Sequence, residues 1–378
     1  MTATGYQSIH PDITLNFMLN RMRANVDTDD LARFANDIAG IDDWVDAAMT
    51  AARHSAEQDN HQVAAAYFRG AEFFMAPEHP DKAAAFDQFH HHFNLARPEV
   101  AGLRRQVSWG EGQLAVIDIP AEGAEKDVIV GCSGFDGLIE EMYVGCLRLA
   151  AAGYRVVLYE GPGQGAALRH HQLTMIHDWE RAVARILDEL EITSCTLMGV
   201  SLGGYLAPRA AAFEPRVRRL IAWSAMADFL DCFRPRFGDE SFAGLLQLLD
   251  NEQADTVNEL LTAGMAANPT ARWSITHGIH TCGGETPYDF LTWARELHLR
   301  DVSANITQDT LIMAGNRDHL VPRNQVWDQA ALLTDARSTT VRLFTEKEHA
   351  AEHCQVTNQA IVHREILSWL ALLDARDK

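Results

Sequence analysis

Ser201 stands in Gly199-Val-Ser-Leu-Gly-Gly204. The run before it, Cys195 to Val200, reads as a strand, and Tyr205 to Phe213 after it reads as a helix. A serine on a sharp strand-to-helix turn is lifted clear of a sheet, and small residues two before and two after it let the backbone pass. This predicts Ser201 as an attacking oxygen. A glycine-rich turn that only closes a strand–helix unit is the plainer alternative.

A serine hydroxyl is a poor nucleophile until a base removes its proton, and the base is usually a histidine oriented by a carboxylate. With the serine on such an elbow, the chain order is serine, acid, histidine. Asp318 follows a strand-like run in Ala314-Gly-Asn-Arg-Asp-His-Leu-Val-Pro322, although a turn or capping role would suit it too. The histidine belongs between the last strand and the last helix. Both His349 and His353 fit, in Glu346-Lys-Glu-His-Ala-Ala-Glu-His-Cys-Gln355. Their spacing also suits a metal pair, but no third ligand lies nearby, so no metal is expected. His319 adjoins the acid too closely, and His363 falls inside the final helix.

Attack on a carbonyl also needs donors for the developing oxyanion. The Leu202 N–H, just after the nucleophile, is one. Phe135, in the loop Gly131-Cys-Ser-Gly-Phe-Asp-Gly137, is predicted to give the other; a turn that starts a helix is the alternative. Glu160-Gly-Pro-Gly-Gln-Gly165 has no lysine after its last glycine, so it reads as a rigid turn beside the pocket and not as a phosphate loop. Glu140 and Glu141 fall near a helix start, where the backbone dipole favours negative charge. His90, His91 and His92 occupy consecutive helical positions that point apart, which argues against joint chelation.

Positioning these residues takes a particular frame. Residues from about 11 to 97 read as helices, with Trp44, Val45, Ala48 and Met49 on one face and Phe86, Phe89 and Phe93 on another. From about 103 a hairpin (Arg105–Trp109, Gln113–Ile119) opens an alternation of short apolar strands and helices. Strands are predicted at 128–130, 155–159, 195–200, 217–223, 310–314 and 340–344, and helices near 138–152, 174–190, 323–334 and 356–373. Such alternation means a parallel sheet covered on both faces. About eighty residues between Trp223 and Thr310 break it, with helices near 243–249 and 257–266. At the nucleophile's end of the sheet, that interval is expected to be a lid.

The chain has 378 residues, 47% of them hydrophobic, which suffices for one large domain with additions or for two domains. Its net charge of −20 argues against nucleic acid and anionic membrane as partners. No apolar run after Met1 is long enough for a leader or a spanning helix. Six scattered cysteines without a Cys-x-x-Cys fit a reduced, cytoplasmic protein. The apolar stripes of the first region serve internal packing or a homodimer face equally well.

Taken in order, Ser133-Gly-Phe-Asp-Gly with Glu140-Glu141, Glu160-Gly-Pro-Gly-Gln-Gly165, Gly199-Val-Ser-Leu-Gly-Gly204, Asn316-Arg-Asp318 and Glu352-His-Cys354 resemble the 2,6-dihydroxypseudooxynicotine hydrolase family, related to the fungal Yg1-type polyketide-shortening hydrolases. The resemblance runs from about Val128 to the C-terminus and extends loosely to the helical first region. It selects His353 over His349, through the His-Cys pair. It implies an α/β-hydrolase fold, a mostly parallel doubly wound sheet with a helical N-terminal domain (1–100), a core in two parts (101–224 and 306–378) and a helical lid (225–305). It also implies hydrolysis of a carbon–carbon bond beside a ketone in an aromatic or polyketide-like small molecule, without a cofactor, by Ser201, Asp318 and His353. The same triad could serve an esterase, thioesterase or acyltransferase, and the same scaffold a non-catalytic binding protein. The family places an acidic group on the segment entering the lid. Asp228 and Asp231 lie there, but the local pattern departs, so neither is assigned. Phe229, Phe233, Phe237, Phe242, Trp273, Tyr288, Phe290 and Trp293 supply the lid with aromatic surface.

Overall fold

The apolar runs form an eight-stranded sheet in a computed structural model that describes residues 5–378; residues 1–4, at the start of the predicted N-terminal domain, lie outside it. The strands are β1 (Arg104–Trp109), β2 (Gly112–Ile119), β3 (Asp127–Cys132), β4 (Tyr154–Tyr159), β5 (Cys195–Val200), β6 (Val217–Trp223), β7 (Asp309–Gly315) and β8 (Ser338–Phe344). Their spatial order is β1-β2-β4-β3-β5-β6-β7-β8. β2 pairs antiparallel with both β1 and β4, and all pairings from β4 through β8 are parallel. Every residue of β5 and β7 is buried, as strands covered on both faces require.

The connectivity places the site. The chain leaves β3 for β4 on one side and returns to β5 on the other, so the strand order reverses between β3 and β5. Ligands of open parallel sheets bind beyond the carboxyl ends of the strands at such a reversal. Here Cys132, the last residue of β3, is in register with Gly199, near the end of β5. The loop after β3 and the turn after β5 therefore emerge side by side.

The chain forms two compact units, one of residues through Gly102 with Leu245–Phe290, the other of Leu103–Gly244 with Leu291–Lys378. The second holds the sheet, with helices Ile139–Ala151, Gly165–His171, Glu180–Glu189, Gly203–Ala211, Asn324–Leu332 and Gln359–Arg376. The helix predicted near 174–190 forms only as Glu180–Glu189, and an unpredicted one, Gly165–His171, precedes it across an irregular stretch. Gln172 at φ 54° ends the earlier helix. The Leu173 carbonyl accepts from the Gly163 N–H (2.7 Å), which docks the stretch on the Gly-Pro-Gly-Gln-Gly turn. That docking overrides the helical periodicity.

In the first unit, helices Ile13–Met22, Thr28–Asn36, Ile41–Glu57, His61–Phe74 and Lys82–Ala96 surround fully buried Trp44 and Phe86. The Trp44 indole N–H donates to the Gly70 carbonyl (2.9 Å). Ala254–Ala267 and Pro269–Cys282 also belong to this unit. Trp273 stacks on Phe73 (4.6 Å between centroids) and donates to its carbonyl (2.6 Å). Among the described residues no helix is long and apolar enough to cross a membrane.

Candidate active site

The turn after β5 is strained in the way a nucleophile elbow requires. Ser201 sits at φ 63°, a left-handed conformation that a residue with a side chain adopts at a cost. It persists because its surroundings fix it. The Ser201 N–H donates to the Trp223 carbonyl (2.9 Å), and the Ser201 carbonyl accepts from the Gly204 N–H (2.7 Å). A Cβ on Gly199 would collide with the Gly203 carbonyl, so the strand and the helix after it cross closely at a position only glycine fills.

The predicted acid and base, Asp318 and His353, lie on the loops after β7 and β8. The two loops touch: Arg317 N–H donates to the Ala351 carbonyl (2.9 Å), and a Cβ on Gly315 would collide with that same carbonyl. Beyond it the chain turns sharply, with Cys354, Gln355 and Thr357 at φ 51°, 47° and 74°. The Trp223 indole N–H donates to the Gln355 side chain (2.7 Å), tying this turn to the end of β6.

These constraints bring three of the predicted residues into one chain of contacts. His353 Nδ1 lies 2.7 Å from Asp318 Oδ2, and His353 Nε2 lies 2.9 Å from Ser201 Oγ. A carboxylate only accepts, so Nδ1 carries the proton and Nε2 is left to accept from the serine hydroxyl. Asp318 is oriented from behind: its Oδ1 accepts from the Leu320 and Val321 N–H groups (2.9 Å each), and Ser224 Oγ approaches Oδ2 at 3.4 Å. Both partners are nearly sealed from water, with side-chain exposures of 5% for His353 and 1% for Asp318.

Burial works to raise the Asp318 carboxyl, but the charge of His353 and three hydrogen bonds, from His353 and from the Val321 and Leu320 N–H groups, hold it below the usual carboxylate range. For His353 burial works the other way, and the Asp318 charge and hydrogen bond overcome it, with Cys354 adding to the rise. His319, next to the acid, is held down at about 4 by burial first and then by the charge of His353, so its ring is neutral. His349 is exposed at φ 55° at the end of the short turn Glu346–Glu348 and is not part of this constellation. His363, inside the last helix, is held near 4 by burial, with its ring 5.6 Å from that of Trp223.

The loop after β3 lies against Ser201. A Cβ on Gly134 would sit 2.6 Å from the Leu202 nitrogen and 2.9 Å from Ser201 Oγ. Leu202, fully buried, opens the helix Gly203–Ala211, so its N–H faces away from any intrahelical acceptor. Phe135 follows Gly134, and its ring lies 5.4 Å from that of Phe229. Phe229 in turn meets Phe233 (5.6 Å) and Trp293 (6.2 Å), so an aromatic cluster begins at this loop.

Other residues singled out in the sequence hold structural positions. Glu141 accepts from the Leu138 N–H (3.0 Å) at its helix start. Glu140, buried, pairs with Arg104 (2.8 Å). Burial, then the nearby charge of Glu140, pushes the Glu160 carboxyl up to about 7. Asp228 pairs with Arg300, and Asp231 with Arg234 (2.6 Å). His92 meets His61 (3.1 Å between Nδ1 atoms), and no group of three or more His, Cys, Asp or Glu among the described residues is placed to hold a metal. Sequence reasoning missed Ser224, which no local pattern marks. It also missed the close approaches at Gly134 and Gly315, for which the glycines were the available signal.

A sequence profile of the alpha/beta hydrolase family matches residues 128–355. The chain belongs to that family. The matched span runs from β3 through the turn that carries His353. Hydrolase acrC of Aspergillus aculeatus is 27% identical over 340 residues, covering 80% of this chain and 78% of its own. The 20-hydroxy-prefusarin hydrolase FUS2 of Gibberella moniliformis is 28% identical over 261 residues, covering 64% and 61%. The crystal structure of the 2,6-dihydroxy-pseudo-oxynicotine hydrolase superposes with a TM-score of 0.67 at 19% identity, covering 93% of this chain and 94% of that one. At that identity the likeness carries the fold, which is that of the alpha/beta hydrolases, and the family makes this chain an enzyme of the hydrolase type.

Proposed function

We propose that the chain is a serine hydrolase that cleaves a carbon–carbon bond beside a ketone in an aromatic or polyketide-like small molecule. The reading rests on the relay from Asp318 through His353 to Ser201, with contacts of 2.7 and 2.9 Å. Ser201 Oγ attacks the ketone carbon while His353 Nε2 takes its proton. The oxyanion accepts from the Leu202 and Phe135 N–H groups. The tetrahedral intermediate collapses by breaking the carbon–carbon bond, and its electrons pass into an enolate or a hydroxylated ring. Protonated His353 delivers its proton to that carbon. Water, activated by the same imidazole, then releases the acyl group from Ser201 as a carboxylic acid.

The substrate class draws on the order of motifs described from the sequence and on the aromatic cluster that begins at Phe135. The name of one relative gives 20-hydroxy-prefusarin as its substrate and that of a structural neighbour gives 2,6-dihydroxy-pseudo-oxynicotine, both small organic molecules. The test is product analysis with an aryl β-diketone in deuterated water. The reading predicts a carboxylic acid and a ketone with deuterium on the former bridging carbon, both absent with Ser201→Ala. Turnover confined to p-nitrophenyl esters or thioesters, with diketones and acyl-resorcinols untouched, would replace it by ester hydrolysis through the same triad.

A further inference from the structure

The Gly-Pro-Gly-Gln-Gly turn contains a buried side chain that the chemistry above does not use. Gln164 is 2% exposed. Its Oε1 accepts from the Gly161 N–H (3.0 Å), which fixes the orientation of the amide. Its Nε2 donates to the Ser133 carbonyl and to the Gly134 carbonyl, both at 2.9 Å. The two hydrogens of the amide are thereby spent on two consecutive carbonyls of the loop that faces Ser201.

A peptide unit is planar and trans, so its C=O and N–H point in opposite directions. Holding the Gly134 carbonyl on Gln164 turns the N–H of the same peptide, that of Phe135, away from Gln164. Holding the Ser133 carbonyl does the same for the Gly134 N–H. The loop is further closed by Ser133 Oγ, which donates to the Gly137 carbonyl (2.5 Å). Its approach to the nucleophile is tight, as the 2.6 Å from the Gly134 Cβ position to the Leu202 nitrogen shows. The turn that carries Gln164 is itself pinned, because Glu160 accepts from the Ala166 N–H (2.8 Å).

We propose that Gln164 is a positioning residue for the oxyanion hole, aiming the Phe135 N–H at the site of developing charge by anchoring the two preceding carbonyls. The inference rests on the serine-hydrolase reading above and gives the Gly-Pro-Gly-Gln-Gly turn a function in it. Gln164 touches no reacting atom. Without its two donors the 133–135 peptides are free to rotate, and the oxyanion loses a preorganised donor.

The test compares wild type, Gln164→Met and Gln164→Glu with p-nitrophenyl butyrate across the pH range, and measures inhibition by an aryl trifluoromethyl ketone. Glu keeps the acceptor for Gly161 and loses both donors, whereas Met loses all three bonds. The expected result is a fall in kcat on the order of 10²-fold in both variants, with KM changed by less than about threefold. Affinity for the trifluoromethyl ketone should fall in parallel with kcat. The acidic limb of the pH–rate profile of Gln164→Met should stay where it is, since that change adds no charge and leaves His353 and Asp318 untouched. Wild-type kcat in either folded variant overturns the proposal, as does a shifted acidic limb in Gln164→Met, which would mean general damage to the triad. Failure of both variants to give a native circular dichroism spectrum would make Gln164 a residue of folding and also overturn it. If wild type shows no hydrolysis dependent on Ser201, it is the serine-hydrolase reading that fails, and the inference falls with it.

Discussion

Replacing Gly134 by alanine adds one methyl group where the loop after β3 meets Ser201 and Leu202. The backbone of Gly134 is not in the left-handed region, so alanine is conformationally acceptable and the perturbation is steric. The new Cβ would meet the Leu202 nitrogen at 2.6 Å, Ser201 Cβ at 2.7 Å and Ser201 Oγ at 2.9 Å. Ordinary contact begins near 3.4 Å, so the loop and the elbow must part by close to 0.8 Å. Leu202 is held by a helix and Ser201 by two backbone hydrogen bonds, so the loop is the part that moves. A displacement near 1 Å in a catalytic constellation costs about 10²-fold, and losing one oxyanion donor costs about 10² to 10³-fold. The expected fall in kcat/KM is therefore about 10² to 10³-fold, or roughly 3 to 4 kcal/mol of transition-state stabilisation. Steady-state hydrolysis of p-nitrophenyl butyrate measures it, with Gly40→Ala as control because a Cβ there has nothing within 4 Å. A folded Gly134→Ala enzyme within threefold of wild type would refute the placement of the oxyanion hole in this loop.

Asp318→Asn should lower kcat about 10⁴-fold, the scale of losing the group that orients the base. Its pH profile carries a second signature. His353 must be neutral to accept a proton, so activity rises with pH through a pKa that Asp318 lifts above the ordinary histidine value; removing that charge leaves burial in control and moves the acidic limb to lower pH. A limb that stays put would contradict the assignment. His349→Ala should leave kcat within a few-fold of wild type while His353→Ala abolishes turnover, and the reverse pattern would exchange their roles. Gly199→Ala drives a Cβ into the Gly203 carbonyl and should destabilise the fold by about 1 to 3 kcal/mol, read as a lower midpoint in urea; an unchanged midpoint would contradict the close crossing of β5 and its helix.

The sequence made the sheet legible because buried parallel strands are short apolar runs with punctuated ends, as at Thr310–Ala314 and Arg155–Tyr159. Ser201 was legible because its conformation forces small residues at fixed offsets. His349 and His353 were not separable by spacing, since the choice depends on where the chain bends after β8. That bend is set by contacts from Ala351 to Arg317 and from Gln355 to Trp223, which sequence distance conceals. The helix Pro269–Cys282 was missed in the irregular interval, although Asn268 before Pro269 was a usable start signal: its side chain accepts from the Thr270 and Ala271 N–H groups. Gln164 was passed over because its partners, Ser133 and Gly134, lie about thirty residues upstream and leave no local trace.

The most direct test asks whether Ser201 is the activated oxygen. A fluorophosphonate is incubated with the protein and the adduct located by peptide mass spectrometry. The predicted result is one adduct, on Ser201, formed far more slowly with His353→Ala or Asp318→Asn and at the normal rate with His349→Ala. An adduct on another residue, or labelling of Ser201 at the same rate without His353, would contradict the relay on which the chemistry depends.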